Sequence, residues 1–269
     1  MVPSDKAQLF RTSPDKIGDE PKAIMKRYGT TVRSTNAENG NRLLAALTKT
    51  DLSRIEPHLE EVTLNQHQVL FEEGRPIKRT YFPHDGLISL VSVFEDGPII
   101  ETATVGREGL LGFPLFVENK SAPIRTVVQI AGSAATMPVR PLQRAIAESP
   151  SLRALMSQYV HAFLTQTLQT VACNALHPAK ERMAKWLLMS ADRTNGERVP
   201  LTHEFLAEML GVGRPTVSLI ARALQDAGLI DYRRGKLAIT DRARLEEVSC
   251  PCYGIIRRGY QHVLPLTYA

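Results

Sequence analysis

Between Leu201 and Ile239 lies a run of residues suited to gripping a polyanion and reading its edges. Arg214, Thr216, Ser218 and Arg222 fall in one short segment. A guanidinium can fork two hydrogen bonds to guanine O6 and N7, while threonine and serine hydroxyls serve bases or phosphates. A few residues on, Arg233-Arg234-Gly235-Lys236 gathers three cations around a glycine, which suits phosphates by charge alone. This is the chemistry of recognising double-stranded DNA, not of breaking bonds. No Ser-His-Asp order, Walker loop or paired-carboxylate motif stands out, so an enzyme is not expected. His67 and His84 lie outside any His-x-His arrangement of the kind a cupin metalloenzyme uses.

Those side chains need elements to hold them. Thr202 is suited to cap a helix with apolar positions at Phe205, Leu206, Met209 and Leu210. Gly211 ends it and permits a tight turn. Gly213 and Arg214 open a second helix, with Val217, Ile220, Ala221 and Leu224 on its buried face and Gly228 as its stop. Pro215 is tolerated because the first turn of a helix does not use that N–H. Two short strands, at 230–232 and 237–239, then flank the cationic Arg-Arg-Gly-Lys turn. The whole reads as a winged helix-turn-helix over 179–248. Its second helix is expected in the major groove and its hairpin on the backbone. Thr202, Gly213, Arg214, Pro215, Thr216, Ser218, Arg222, Arg233, Arg234 and Lys236 form the expected DNA-contact set.

Upstream, the texture changes twice. Residues 1–40 are polar, broken by proline and glycine, and expected to be a disordered arm. From 41 to 140, short β-rich runs are cut at Glu73-Gly74, Asp85-Gly86, Asp96-Gly97 and Ala131-Gly132, suggesting an antiparallel roll. Residues 141–178 are helical. Ser151–Ala175 contains no glycine or proline, and Leu152, Met156, Tyr159 and Phe163 step along it by 4, 3 and 4. That seam is expected to pair with a second copy; the competing reading is a core helix packed on the roll. His177-Pro178 breaks the chain, since the residue before proline avoids the α region. Residues 249–269 are expected to form a basic tail carrying Arg257 and Arg258.

The formal charge is +5 and the isoelectric point about 9.2, with basic ends around a slightly acidic middle. That asymmetry permits nucleic-acid binding. A hydrophobic content of 43% and charged content of 23% are those of a globular protein, and neither a membrane span nor a signal peptide is legible. The cytoplasm is the expected compartment. Three cysteines give no disulfide framework.

The stretch LTHEFLAEMLGVGRPTVSLIARALQDAGLIDYRRGKLAI resembles the winged helix-turn-helix of the Crp–Fnr regulators. The roll and long helix precede it in that family's order. The resemblance implies an α+β chain: an antiparallel β-roll sensor, a long dimerisation helix and a C-terminal winged helix. It further implies a homodimer on DNA, with RNA polymerase a possible further partner. The chain departs from the family at Pro215 and Leu219, where polar and basic side chains are usual. Cyclic-nucleotide binders of this fold carry a ribose-binding glutamate and a phosphate-binding Arg-Ser or Arg-Thr. Arg125 and Thr126 match the phosphate end, but Glu108 precedes Gly109 instead of following it. These three are the candidate effector residues, tight cyclic-AMP binding is not expected, and no cofactor is named by the sequence.

Cys173 and His177 stand four apart, and Cys250-Pro251-Cys252 follows the wing. Cysteine and histidine are zinc and iron ligands. The Cys-x-Cys spacing is tighter than the usual Cys-x2-Cys knuckle, however, and the two pairs are far apart in sequence. A buried cysteine and a hinge histidine are therefore expected, and no metal site. The alternative function is a ligand-, metal- or redox-sensing module whose helix-turn-helix serves protein contacts.

Overall fold

The structure is a computed structural model, and it describes residues 40–94, 99–112, 121–194, 199–233 and 235–264. The expected arm (all but Gly40), Arg234, the Asp96-Gly97 turn and the last five residues lie outside this range. The expected α+β class is the one observed.

Two short helices, α1 (Arg42–Ala45) and α2 (Lys49–Ile55), lead into two antiparallel sheets. The first places β1 (Glu60–Leu64), β7 (Gly132–Pro138) and β3 (Arg79–Pro83) in the order β1-β7-β3. The second comprises β2 (Val69–Phe71), β6 (Arg125–Ile130), β4 (Leu87–Val93) and β5 (Ile99–Val105), in the order β2-β6-β4-β5. Leu64, Phe82, Leu87, Ile88, Val128 and Met137 are fully buried between and beside them. These β-branched and aromatic runs satisfy their backbone groups in the ladders while burying alternate side chains.

After α3 (Val139–Glu148) comes the 27-residue helix α4 (Pro150–Leu176). Its start is tied down: the Ser149 hydroxyl accepts from the Leu152 N–H at 3.3 Å and donates to Asp51 at 2.5 Å. Ser151 and Thr48 also donate to Asp51, and these hydroxyls hold its carboxyl below the ordinary range. The helix stops at His177, which is extended before Pro178.

Here one expectation is corrected. Leu152, Met156, Tyr159 and Phe163, the seam assigned to a second copy, are 0–5% exposed and belong to this chain's own core. Tyr159 donates to the Leu110 carbonyl at 2.9 Å and lies 6.4 Å, ring to ring, from Tyr260. The apolar residues left outside are Leu164, Leu168, Val171 and Leu176, 51–77% exposed. They step by 4, 3 and 5 on another face. Helix α4 is apolar on more than one side, so spacing alone selected the wrong stripe.

The winged helix follows as α5 (Ala179–Arg193), β8 (Val199–Pro200), α6 (His203–Leu210), α7 (Arg214–Asp226), β9 (Ile230–Arg233), β10 (Lys236–Ile239) and α8 (Arg242–Val248). The segment read as a basic tail is instead largely helical: α9 (Cys252–Val263) packs on α4 through Tyr253, Ile256, Tyr260 and Val263, all at most 8% exposed. Arg257 reaches Glu246 at 3.6 Å.

Candidate nucleic-acid interface

The two helices of the motif are set by local chemistry. The Thr202 hydroxyl accepts from the Phe205 N–H at 3.1 Å, capping α6. Gly211 closes that helix at φ +62°, the left-handed conformation that favours glycine, so the chain can turn straight into α7. Val217, Ala221 and Leu224 anchor α7 in the core, and Phe205 of α6 meets Trp186 edge-on at 5.6 Å. Pro215 sits in the first turn of α7, where its missing N–H costs nothing.

This anchoring turns a defined face outward. Arg214, Pro215, Thr216, Leu219 and Arg222 are exposed, with the Arg214 side chain 66% and Leu219 72% accessible. Arg214 stands 4.0 Å from the Glu204 carboxylate, and Arg222 lies 3.7 Å from Asp226 one turn on. Such exposed pairs contribute at most about 1 kcal/mol and are readily exchanged for a phosphate or base.

The wing is fixed to the first helix. The Tyr232 ring stacks on His203 at 4.7 Å and 12°, and its hydroxyl donates to the Leu201 carbonyl at 2.7 Å. Burial first, and then the positive charge of Arg214, lower the His203 pKa below that of an ordinary imidazole. Thr202, His203, Glu204, Arg214, Tyr232 and Gly235 line a cleft of about 310 Å³ between helix and wing. Arg233 and Lys236 are exposed on its rim strands, with Arg233 paired to Asp231 at 2.9 Å.

Ser218 departs from expectation. It is half-buried, within 2.9 Å of His203 Nδ1, and donates to the Arg214 carbonyl at 3.1 Å. Its hydroxyl orients the motif from within. His203, Tyr232 and Leu219 were missed as site residues. The first two were legible only as a histidine after a cap and an aromatic in a strand. Leu219 was visible as an apolar residue off the buried period.

The effector residues do not converge. Glu108 accepts from Arg193 Nε at 2.7 Å, both side chains being 1% exposed. Arg193 also donates to Thr104 and Gln166 at 2.5 Å each. Gly106 lets α5 come this close, because a Cβ there would collide with the Arg193 stem. Glu108 therefore joins the roll to the winged helix. Arg125 pairs with Glu72 at 2.7 Å, and Thr126 is buried within β6. Beside Glu108, Trp186 donates to Glu101 at 2.9 Å, and burial pushes the Glu101 carboxyl up to about 7.

Cys173, His177, Cys250 and Cys252, far apart in sequence, are brought together: their ligating atoms all lie within 4.8 Å of one another.

Residues 181–248 match the Crp-like helix-turn-helix domain. The global nitrogen regulator of Synechocystis sp. is 24% identical over 216 residues, covering 77% of this chain and 96% of that protein. Among solved structures, FixK2 from Bradyrhizobium japonicum superposes with a TM-score of 0.62 at 17% identity, covering 71% of this chain and 98% of its own. The c-di-GMP responsive global regulator CLP of Xanthomonas campestris gives 0.57 at 16%, covering 72% and 100%. At such identities these two are likenesses of fold.

Proposed function

We propose that this chain, a DNA-binding transcription regulator of the Crp–Fnr type, works in the cytoplasm as a homodimer on two-fold symmetric DNA sites. The observation that carries the reading is the outward face of α7, with Arg214 exposed at its start beside a cationic wing. In this division of labour, residues 41–140 receive a signal, 141–178 link and dimerise, and 179–248 read DNA. Arg214 and Thr216 read base edges; Thr202, Gly213, Pro215 and Arg222 border the backbone; Arg233, Arg234 and Lys236 hold phosphates. At a promoter, the seated dimer would recruit or block RNA polymerase.

One winged helix contacts few base pairs, too few to stand out against genomic competition. Pairing through Leu164, Leu168, Val171 and Leu176 supplies a second head and removes four exposed apolar side chains from water. Two heads then read half-sites about 34–36 Å apart. No helix of the described residues is long and apolar enough to cross a membrane.

The dimer is tested by Leu164→Asp combined with Leu168→Asp. Light scattering should report half the wild-type mass, circular dichroism an intact fold, and gel shifts the loss of tight binding to a two-fold site. Wild-type protein that is monomeric and still binds one half-site tightly would rule the model out.

A further inference from the structure

We propose that Cys173, His177, Cys250 and Cys252 form a tetrahedral zinc site that clamps the hinge between α4 and α5 to the C-terminal helix α9. The Sγ atoms of Cys173 and Cys250 are 3.5 Å apart, and Cys252 Sγ is 3.4 Å from His177 Nδ1. A zinc ion with bonds of about 2.3 Å to sulfur and about 2.0–2.1 Å to nitrogen spaces its ligands by roughly 3.5–3.8 Å. These two separations are close to that spacing, and all four ligating atoms lie within 4.8 Å of one another. The separations are far from the roughly 2.05 Å of a disulfide.

The donor set selects the ion. Three thiolates and an imidazole are soft to borderline ligands, suited to zinc and poorly suited to magnesium or calcium. Cys173, Cys250 and Cys252 are 0–1% exposed, so the site is closed, as in structural zinc centres, without a position open to substrate. The surroundings fit as well. Gln169, one turn before Cys173 on α4, donates its amide N–H to Cys252 Sγ at 3.1 Å, the outer-shell contact that orients a thiolate ligand. Lys185, only 6% exposed on α5, is a cationic neighbour of both Cys173 and Cys250. Three thiolates around a divalent ion leave one net negative charge, which a buried lysine balances.

The connectivity gives the site its role. Cys173 lies in the last turn of α4, His177 is the hinge residue itself, and Cys250 just precedes α9, which Cys252 opens and which packs on α4. The ion thus fixes the point from which α5 and the winged helix depart. The tight Cys-x-Cys spacing works because its other two ligands come from another element.

The test uses full-length wild-type protein purified anaerobically under reducing conditions. Elemental analysis should find about one zinc per chain. After chelator stripping, cobalt(II) titration should give the thiolate-to-metal and tetrahedral d–d absorption bands, saturating at one equivalent, and zinc should displace it. Stripping should lower the melting temperature and zinc restore it. Cys250→Ser should abolish the cobalt bands. Gln169→Ala, which leaves all four ligands in place, should weaken zinc binding about ten- to a hundredfold in competition with a chromophoric chelator. Stripped wild type that takes up neither zinc nor cobalt, or an iron–sulfur chromophore in the purified protein, would overturn the assignment.

Discussion

Arg193 and Arg214 belong to the same winged helix and use the same guanidinium in opposite ways. Arg193 is 1% exposed and meets a carboxylate, a hydroxyl and a side-chain amide within 2.7 Å. Arg214 is 66% exposed, and the Glu204 carboxylate stands 4.0 Å away. A buried guanidinium has lost its water and is stable only if its donors are met by the fold. An exposed one keeps its donors for a partner. Arg193 therefore holds the head to the roll, and Arg214 is available to whatever the head meets.

The sharpest way to break that contrast is to remove each arginine in turn. Arg193→Ala strands Glu108 as a buried charge and should destabilise the protein by about 3–5 kcal/mol, measured by chemical denaturation. Arg214→Ala should change stability by no more than about 0.5 kcal/mol. Similar losses for both would erase the distinction.

The junction also holds a buried carboxyl that makes its stability depend on pH. Glu101 is buried against Ser89 and Trp186, with Lys185 and Arg193 nearby, and its carboxyl is raised to about 7 from an unfolded value near 4.5. A raised carboxyl favours the fold when protonated. Its contribution is full below about pH 4.5 and is lost as pH climbs through 7. Glu101→Gln should remove on the order of 3 kcal/mol of pH-dependent stability between pH 5 and 8.5, seen as a flattened series of denaturation midpoints. An unchanged slope would show that Glu101 does not titrate in this range.

On the reading face, effects should appear in binding and not in folding. Arg214→Ala should cost about 1–3 kcal/mol on specific sites and relax preference at one base pair. Lys236→Ala should weaken all sequences evenly and lower the salt slope by about one. Leu219, 72% exposed where an apolar side chain gains nothing from the fold, suits a thymine methyl. Leu219→Ala should cost about 1 kcal/mol at one A·T pair and nothing elsewhere. Equal binding losses on random DNA would sink the two base-reading roles.

What the sequence made legible follows the same divide. Thr202, Gly211, Pro215 and Gly228 act through local backbone chemistry, and the helix-turn-helix with its wing could be drawn from them. The His177-Pro178 break was legible for the same reason. The face of α4 was not, because Tyr159 and Leu168 are both large and apolar, and only the tertiary partners, the roll and α9, decide which turns inward. Arg257 and Arg258 suggested a tail and hid the helical spacing of Tyr253, Ile256, Tyr260 and Val263. Glu108 and Arg125 looked like ligand residues because a charge's partner is invisible until the chain folds. Cys173 and Cys250 converge for that same non-local reason.

Selection from a random DNA library, run in parallel with wild-type protein and Arg214→Ala, tests the reading face most directly. Wild type should enrich a two-fold symmetric motif with half-sites one helical turn apart, and the variant should lose one base-pair preference symmetrically in both halves. No enrichment by wild type, or an identical motif from both proteins, would contradict the assignment of α7 and Arg214 to sequence readout.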